Sequence, residues 1–509
     1  MKEHPRYKIR GIINSATILH IDGATINIHL LFTRLDSDPR DARPRQLRLY
    51  ELIRKAILDN TLAAGTHLPA TRVLAVDLGV ARNSVLYAYE RLAAEGFISA
   101  NRHGTRVLPV AQIRISSSGY VEGTIPSARA RKIAHPRDFG SEARAFNPGS
   151  PDCAAFPRRQ WLACLNSAWK RAEAKQLGYG NAAGAPALRT AIAEYLRSAR
   201  GVRCTAGQVF VTAGSQAGLD VCARVLADAD STAWVENPGY RGVRTSFELA
   251  GLKIHPVSVD DHGMAPTETD WKKHPPKLIH VTPSQQFPLG VMLGLQRRLE
   301  MIRRSAEGNA WIIEDDYDSE FCYEGRPLAA MQGLVENAPV IYVGTFSRMM
   351  FPSLRLGYLV VPPALAATFD RISELTWAGH AIEQGALAEF ISSGKLATHV
   401  RNMKRLYGER RTILLQSLKH HLAGQLEFTA GAGGLHLTVL LKSAKGVTDV
   451  DVANRALGLG LTLRPLSLSS IAGGGIPVLN GFVLGFAAVP ERKIEPAVKK
   501  LALAIKQAR

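Results

Sequence analysis

Five short apolar runs of this sequence end in residues equipped for chemistry. Residues 208–212 lead into Gly214-Ser215-Gln216 and a helical pattern, whose free N–H groups at its start suit an anion. Residues 233–236 lead to an aromatic, Tyr240, through Asn237-Pro238-Gly239. Residues 278–281 run into Thr282-Pro283-Ser284-Gln285-Gln286-Phe287-Pro288. Residues 311–313 run into an acidic string, Glu314-Asp315-Asp316-Tyr317-Asp318-Ser319-Glu320. The last run, 340–343, ends in Gly344-Thr345-Phe346-Ser347-Arg348, and Arg355 stands seven positions further on. Singly, each is ordinary: an acidic cluster can bind a metal or merely face water. Together they suit a heteroaromatic phosphate better. A carboxylate can keep a ring nitrogen protonated, a phenol can bond a ring hydroxyl, and Arg with Ser or Thr can hold the phosphate.

A second set has a different chemistry. Ala81-Arg82-Asn83-Ser84 opens a helical pattern. Arg can pair bidentately with guanine O6 and N7, and Asn with adenine N6 and N7. The surrounding periodicity supplies the elements that would aim them. Leu49, Leu52, Ile53, Ala56 and Ile57 mark one helix over 45–58. A short helix over 71–78 stops at Gly79, and a third over 82–95 buries Val85, Ala88, Tyr89 and Leu92. Strands at 97–99 and 105–108 flank Asn101-Arg102-His103-Gly104 as a wing. Two short helices, a tight turn and a hairpin describe a winged helix-turn-helix, with the start of the third helix at the base edges.

These elements order the chain. Residues 1–42 read as an extension, 43–110 as the winged helix-turn-helix, 111–143 as a flexible Ser-, Gly-, Pro- and Arg-rich linker, and 144–509 as one large α/β domain in which strands and helices alternate. Lys plus Arg number 63 against 44 Asp plus Glu, a formal charge of +19, which points to nucleic acid or an anionic membrane surface. No apolar run is long enough to span a membrane, and the N-terminal stretch, broken by Asn14 and Ser15, is not read as a secretory signal. The five cysteines (153, 164, 204, 222 and 322) are scattered, so neither a metal site nor a disulfide framework is expected, and a reducing cytoplasm is.

The string LPATRVLAVDLGVARNSVLYAYERLAAEGFISANRHGTRV (68–107) resembles the DNA-binding domain of the GntR family of bacterial regulators. That resemblance implies double-stranded DNA as partner, held by Arg72 and Arg82 with Asn83 and Ser84 beside them, and His103 and Gly104 in the wing at the minor groove. The family usually carries Ser or Thr where this chain has Ala81; without a side-chain cap the helix loses about 1 kcal/mol. From residue 146 onward the chain resembles the aminotransferase-like domain of the MocR subfamily of GntR regulators. FNPGSPDCAAFPRRQW, LGYGNAAGAPALRTAIAEYLRSARGV, VENPGYRG, IIEDDYDSEFCYEG and VGTFSRMMFPSLRLGYLVVP carry the likeness. It implies a mainly α reader with a small β wing, joined to an α/β fold of the pyridoxal phosphate-dependent transferase (aspartate aminotransferase-like) type. It also implies pyridoxal phosphate as cofactor, with Asp315 on the pyridine nitrogen, Tyr317 on the ring hydroxyl and Tyr240 stacked on the ring. Gly214, Ser215, Gln216, Thr345, Ser347 and Arg355 would hold the phosphate, and in a homodimer Tyr179 would reach in from a second copy.

Three departures from that family pattern bear on function. The family's GTFSK motif supplies a lysine that condenses with the cofactor aldehyde; here the position is Arg348, and no lysine occurs between Lys277 and Lys395. A guanidinium stays protonated and offers no free amine. Gln285 replaces a histidine, and Val483 falls where such transferases carry an arginine for the substrate carboxylate. No residue is therefore assigned a catalytic role. The expectation is a cytoplasmic regulator whose large domain dimerises and binds pyridoxal phosphate, or a small amino-compound effector, without a covalent bond; or else Arg348 pairs with Asp315 and fills the pocket. The competing readings are an aminotransferase fused to a DNA reader, and a degenerate scaffold that senses nothing.

Overall fold

The computed structural model describes residues 18–21, 24–27, 43–109, 127–132, 144–325, 328–376, 379–429, 431, 433–442, 446–472 and 475–508. The chain divides into two compact units, Met1–Ile125 and Pro126–Arg509. In the expected N-terminal extension, β1 (Ile18–Ile21) pairs antiparallel with β2 (Ala24–Asn27); the rest of 1–42 lies outside the described residues.

The apolar period of the first unit becomes its core. Leu49, Ile53 and Ile57 of the helix Arg45–Leu58 are buried against Val85, Ala88 and Leu92 of the helix Arg82–Ala94. Between them come β3 (His67–Leu68) and the helix Thr71–Asp77; after them, β4 (Ile98–Asn101) and β5 (Gly104–Val107) form the wing. β3 is an addition to the expected hairpin: it pairs with β5 through His67↔Arg106 and Leu68↔Thr105, so the wing is three-stranded, ordered β3-β5-β4. A polar clasp ties the first helix to the third. The Tyr50 hydroxyl donates to Glu95, and the Arg91 guanidinium lies 4.3 Å over the Tyr50 ring.

Of the expected linker, only 127–132 is described. There Ala128–Lys132 is a short helix of the second unit, and Arg129 donates to the Leu249 carbonyl at 3.2 Å.

The main sheet of the second unit has eight strands: β6 (Val209–Thr212), β7 (Thr232–Asn237), β8 (Lys253–Asp260), β9 (Gly263–Met264), β10 (Leu278–Val281), β11 (Trp311–Asp316), β12 (Val340–Thr345) and β13 (Gly357–Val360). Their order is β6-β13-β12-β11-β10-β7-β8-β9. β8, β7, β10, β11 and β12 pair parallel, and β6, β10 and β12 are buried along their whole length, as expected when helices cover both faces. β13 runs antiparallel to both β12 and β6. Its beginning therefore lies at the edge where its neighbours end, and Arg355, two residues before β13, arrives among their carboxyl ends. A smaller antiparallel sheet follows, ordered β14 (Leu426–Phe428), β15 (His436–Leu441), β17 (Gly481–Gly485), β16 (Arg464–Pro465). The helices Lys395–His421 and Glu491–Ala508 pack on it.

Beneath the loaded strand ends sits a buried ion pair. Arg200 Nε donates to Asp316 Oδ2 at 2.9 Å, and the same oxygen accepts from the Tyr342 hydroxyl at 2.6 Å and from Ser319 Oγ at 2.8 Å. Three donors on one oxygen hold the Asp316 carboxylate, and with it the end of β11, in place.

Candidate functional site

The carboxyl ends of the sheet enclose a cavity of about 240 Å³. Among its lining residues are Ser215, Gln216, Tyr240, Asp315, Tyr317, Thr345, Ser347 and Arg355, all named from the sequence, together with Arg348. One end is built for an anion. Gly214 (φ +88°) precedes the helix Ser215–Leu226, and its left-handed backbone lets the helix start beside β13. A side chain at Gly357 would fall 2.7 Å from the Gly214 carbonyl carbon, so these two glycines permit the close approach. Arg355 adopts φ +50°, costing about 1–3 kcal/mol for a residue with a side chain. That conformation sets its guanidinium carbon 3.4 Å from the Cβ position of Gly214, with Nη2 donating to the Ala213 carbonyl at 3.2 Å. Thr345 Oγ1 donates to Ser347 Oγ at 3.1 Å. The Gln216 side chain is engaged locally: its amide donates to Gly242 O and Ser246 Oγ, and its oxygen accepts from the Tyr240 hydroxyl at 3.1 Å. Its side chain thus braces the rim aromatic.

Asp315 occupies the other end. It is 5% exposed, Oδ2 lies 3.3 Å from His280 Nε2, and among the described residues Oδ1 is buried without a hydrogen-bond partner. An orphaned carboxylate oxygen in such a place calls for a donor from a ligand. A protonated pyridine nitrogen is such a donor, so the residues present fit pyridoxal phosphate. Behind Asp315, the buried Glu236 accepts from Thr282 Oγ1 at 2.6 Å; burial raises its pKa. The Tyr317 hydroxyl donates to the Gln285 carbonyl at 3.0 Å, and the Gln285 amide is spent on the Gly433 carbonyl at 2.7 Å.

The two remaining cations correct the reading of the sequence. Arg348 does not pair with Asp315. Its guanidinium lies across Gly149, where a Cβ would meet Nη1 at 1.9 Å, and among the described residues it makes no hydrogen bond or ion pair. The acid it faces is Asp318, which is 2% exposed and whose Oδ1 also lacks a partner among the described residues. Burial lifts the Asp318 pKa well above the usual carboxylate range and the charge of Arg348 opposes the rise. Val483 is buried in β17, and its register partner across β16 is Arg464, which lines the cavity. Gly149, His280, Asp318, His436 and Arg464 were missed by sequence reasoning as site residues. His280 had one signal: it is the polar residue of the otherwise apolar run Leu278–Val281.

Tyr179 does not join this cavity within one chain. It is 89% exposed and lines a separate recess with Asn181, Asp370 and Glu374. Among the described residues no lysine lines the main cavity. Among the described residues no group of three His, Cys, Asp or Glu is placed to hold a metal, and no helix is long and apolar enough to cross a membrane.

In the first unit, Arg72, Arg82, Asn83, His103 and Gly104 are exposed and Ser84 is half-buried. Neither Arg72 nor Arg82 makes a hydrogen bond or ion pair among the described residues. Ala81 is the N-cap of the third helix and gives no side-chain cap. At the wing tip, the Asn101 side chain accepts from the His103 backbone at 2.8 Å, and Gly104 turns at φ +119°.

Comparison with known proteins agrees with both units. Residues 45–107 match the family of bacterial regulatory proteins, gntR family, and residues 147–461 match aminotransferase class I and II. The probable rhizopine catabolism regulatory protein MocR of Rhizobium meliloti is 40% identical over 91% of this chain and 94% of its own length. The HTH-type pyridoxine biosynthesis transcriptional regulator PdxR of Corynebacterium glutamicum is 31% identical over 89% of this chain and 94% of its own. Among solved structures, Pyrococcus horikoshii kynurenine aminotransferase superposes with a TM-score of 0.69 at 24% identity, covering 77% of this chain and 99% of that one, which shows the fold of the large domain. With a GntR reader and an aminotransferase class I/II domain on one polypeptide, the chain belongs to the MocR-type helix-turn-helix transcriptional regulators.

Proposed function

We propose that this DNA-binding regulator senses pyridoxal phosphate, held non-covalently between Asp315 and the helix start at Ser215. The single observation that carries this is the buried, unpartnered Oδ1 of Asp315 in a cavity that Arg355 and the Ser215 helix also line. Asp315, oriented by His280, would receive the ring N–H. Tyr240, braced by Gln216, would cover the ring, and Tyr317 would stand by the ring hydroxyl. Gly214, Ser215, Gln216 (by its backbone), Thr345, Ser347 and Arg355 would take the phosphate. When bound, the cofactor supplies an electrophilic aldehyde conjugated to an electron-withdrawing ring. Arg348 has no free electron pair to attack that carbonyl or to accept a proton at a substrate carbon, so the domain works as a sensor and not as an aminotransferase.

The reader would bind two half-sites as part of a cytoplasmic homodimer. Leu162, Trp169, Leu177 and Tyr179 are each more than half exposed on the single chain, apolar surface that contact with a second copy would cover. That contact would bring Tyr179 toward the other copy's cavity.

The test is a pyridoxal phosphate titration of the full-length protein beside Arg348→Lys, followed by absorbance, borohydride trapping and operator affinity. Saturable binding with no borohydride-fixed adduct in the wild type, and a fixed adduct in Arg348→Lys, is expected. A fixed adduct at any wild-type side chain, or no binding at all, overturns the proposal.

A further inference from the structure

The short basic helix Ala128–Lys132 lies between the DNA reader and the large domain in the chain, and it is docked on the latter. Ser127 caps it: Ser127 Oγ accepts from the Ala130 backbone at 3.2 Å. Residues 127–131 are all exposed, so burial does not hold them in place. Among the described residues their hydrogen bond to the rest of the large domain is a single one, from Arg129 Nη1 to the Leu249 carbonyl at 3.2 Å. That carbonyl belongs to the last turn of the helix Arg241–Ala250. Gly251 (φ +87°) ends this helix, and the N–H groups of Gly251 and Leu252 take the Glu248 and Phe247 carbonyls. The Leu249 carbonyl is left over at the negative end of the helix dipole, and a guanidinium satisfies both. Gly251 also makes room, since a Cβ there would stand 3.4 Å from Arg129 Nη1.

The other end of the same helix frames the cavity. Tyr240, which lines the cavity, is its N-cap residue. Gln216, at the start of the helix Ser215–Leu226, is bonded into its first turns. Gln216 Nε2 donates to the Gly242 carbonyl at 2.9 Å and to Ser246 Oγ at 2.7 Å, and Oε1 accepts from the Tyr240 hydroxyl. Val243 and Phe247, both buried, pin the middle. Ten helical residues make a rod of about 15 Å. One end of that rod meets whatever fills the cavity, and the other end carries the dock of the linker.

We infer that the helix Arg241–Ala250 couples the cavity to the linker. A ligand packed on Tyr240 holds this helix in the pose in which Arg129 reaches the Leu249 carbonyl, and loss of the ligand releases the linker helix. The inference rests on the pyridoxal phosphate reading of the cavity. One exposed hydrogen bond shifts the docked population by no more than about tenfold. Docked and released forms are therefore close enough in free energy for a ligand to select between them. What changes is the length of chain leading to the reader. With the helix docked, the reader is joined through residues 110–126, which reach at most about 60 Å. With it released, the connection is residues 110–143, which reach at most about 120 Å. In the proposed dimer that difference decides which half-site separations the two readers can bridge.

The experiment follows tryptic cleavage of the full-length protein after Arg131, with and without saturating pyridoxal phosphate, while absorbance reads cofactor binding separately. In the wild type the cofactor is expected to slow this cut by about threefold or more. Arg129→Gln should be cut at one fast rate in both conditions while binding pyridoxal phosphate within about twofold of wild type, and Arg129→Lys should recover part of the protection. Ser246→Ala, which removes a bond between the two helices outside the cavity lining, should lessen the effect of the cofactor on the rate. Small-angle X-ray scattering should give Arg129→Gln a greater maximum dimension than the cofactor-bound wild type. Bound pyridoxal phosphate that leaves the wild-type rate unchanged overturns the inference, as do protection that persists in Arg129→Gln and equal maximum dimensions. If pyridoxal phosphate does not bind, the cofactor reading fails, and the dock is judged without ligand: faster cleavage in Arg129→Gln than in wild type supports it, and equal rates overturn it.

Discussion

Replacing Asp315 with asparagine separates a ligand-binding acid from a structural one, because the two roles predict opposite signs. Among the described residues Asp315 Oδ1 is buried without a hydrogen-bond partner, and His280 Nε2 lies 3.3 Å from Oδ2. In the free protein, that orphaned oxygen is a net cost; asparagine removes the charge, keeps the shape, and can still accept from His280. The variant should therefore melt at the wild-type temperature or above it when no ligand is present. With ligand the sign reverses. A hydrogen bond between charged partners contributes about 1.5–3 kcal/mol, so pyridoxal phosphate should bind roughly 10- to 150-fold more weakly. At a ligand concentration of about 100 times the wild-type Kd, the wild type gains about 2.7 kcal/mol from binding, and a variant weakened about 50-fold gains only about 0.6 kcal/mol. Melting curves of both proteins with and without pyridoxal phosphate read both effects in one experiment. If the variant loses stability without ligand yet keeps the full ligand-induced rise, Asp315 is a structural acid and the cofactor reading fails.

Three further outcomes follow from the geometry. Arg82→Ala should fold normally, since the guanidinium is exposed and free among the described residues, yet lose about 1–3 kcal/mol of operator affinity; fluorescence anisotropy on operator DNA checks it, and unchanged affinity would remove Arg82 from the reading surface. Ala81→Ser should add a cap to the third helix, whose N-cap backbone is already extended at φ −65° and ψ 137°, raising the stability of the reader by about 1 kcal/mol in chemical denaturation. Glu314 is fully buried and desolvation lifts its pKa to about 7, despite N–H donation from Met331 and Gln332. A folded-state pKa above the unfolded value of about 4.3 means stability is complete at low pH and is lost as pH rises through about 7. Glu314→Gln should flatten that part of the pH–stability profile; an unaltered slope would refute the assignment.

How much of this was legible beforehand depended on whether local spacing or distant pairing set the outcome. The helices of the reader followed from their apolar period, and the short strand β3 did not, because His67–Leu68 is made a strand only by its partner β5 almost forty residues later. The loaded strand ends gathered as expected because parallel strands necessarily bring their carboxyl ends to one edge. Arg355 joined them because β13 alone of the central strands runs the other way. Arg464 was invisible for a related reason. Its place opposite Val483 is fixed by the pairing of β16 with β17, and nothing in the residues around position 464 announces that register. Orphaned atoms such as Asp315 Oδ1 and Asp318 Oδ1 are likewise properties of the packed interior, since a missing partner has no sequence pattern.

The change from lysine to arginine at position 348 alters more than reactivity. A lysine amine in a pocket of this type can give up its charge, so the field around it depends on what is bound. An arginine cannot, and its charge is a permanent feature of the cavity. In this chain that charge is placed over Gly149, opposite the buried Asp318 and beside Arg464, instead of against Asp315. Asp315 keeps an oxygen without a hydrogen-bond partner among the described residues, and the side of the cavity where the family's lysine would stand carries a fixed positive charge. Under the reading proposed above, loss of the lysine removes the covalent step and leaves in place the groups that would hold the ring and the phosphate, a combination suited to a sensor that binds and releases its ligand unchanged.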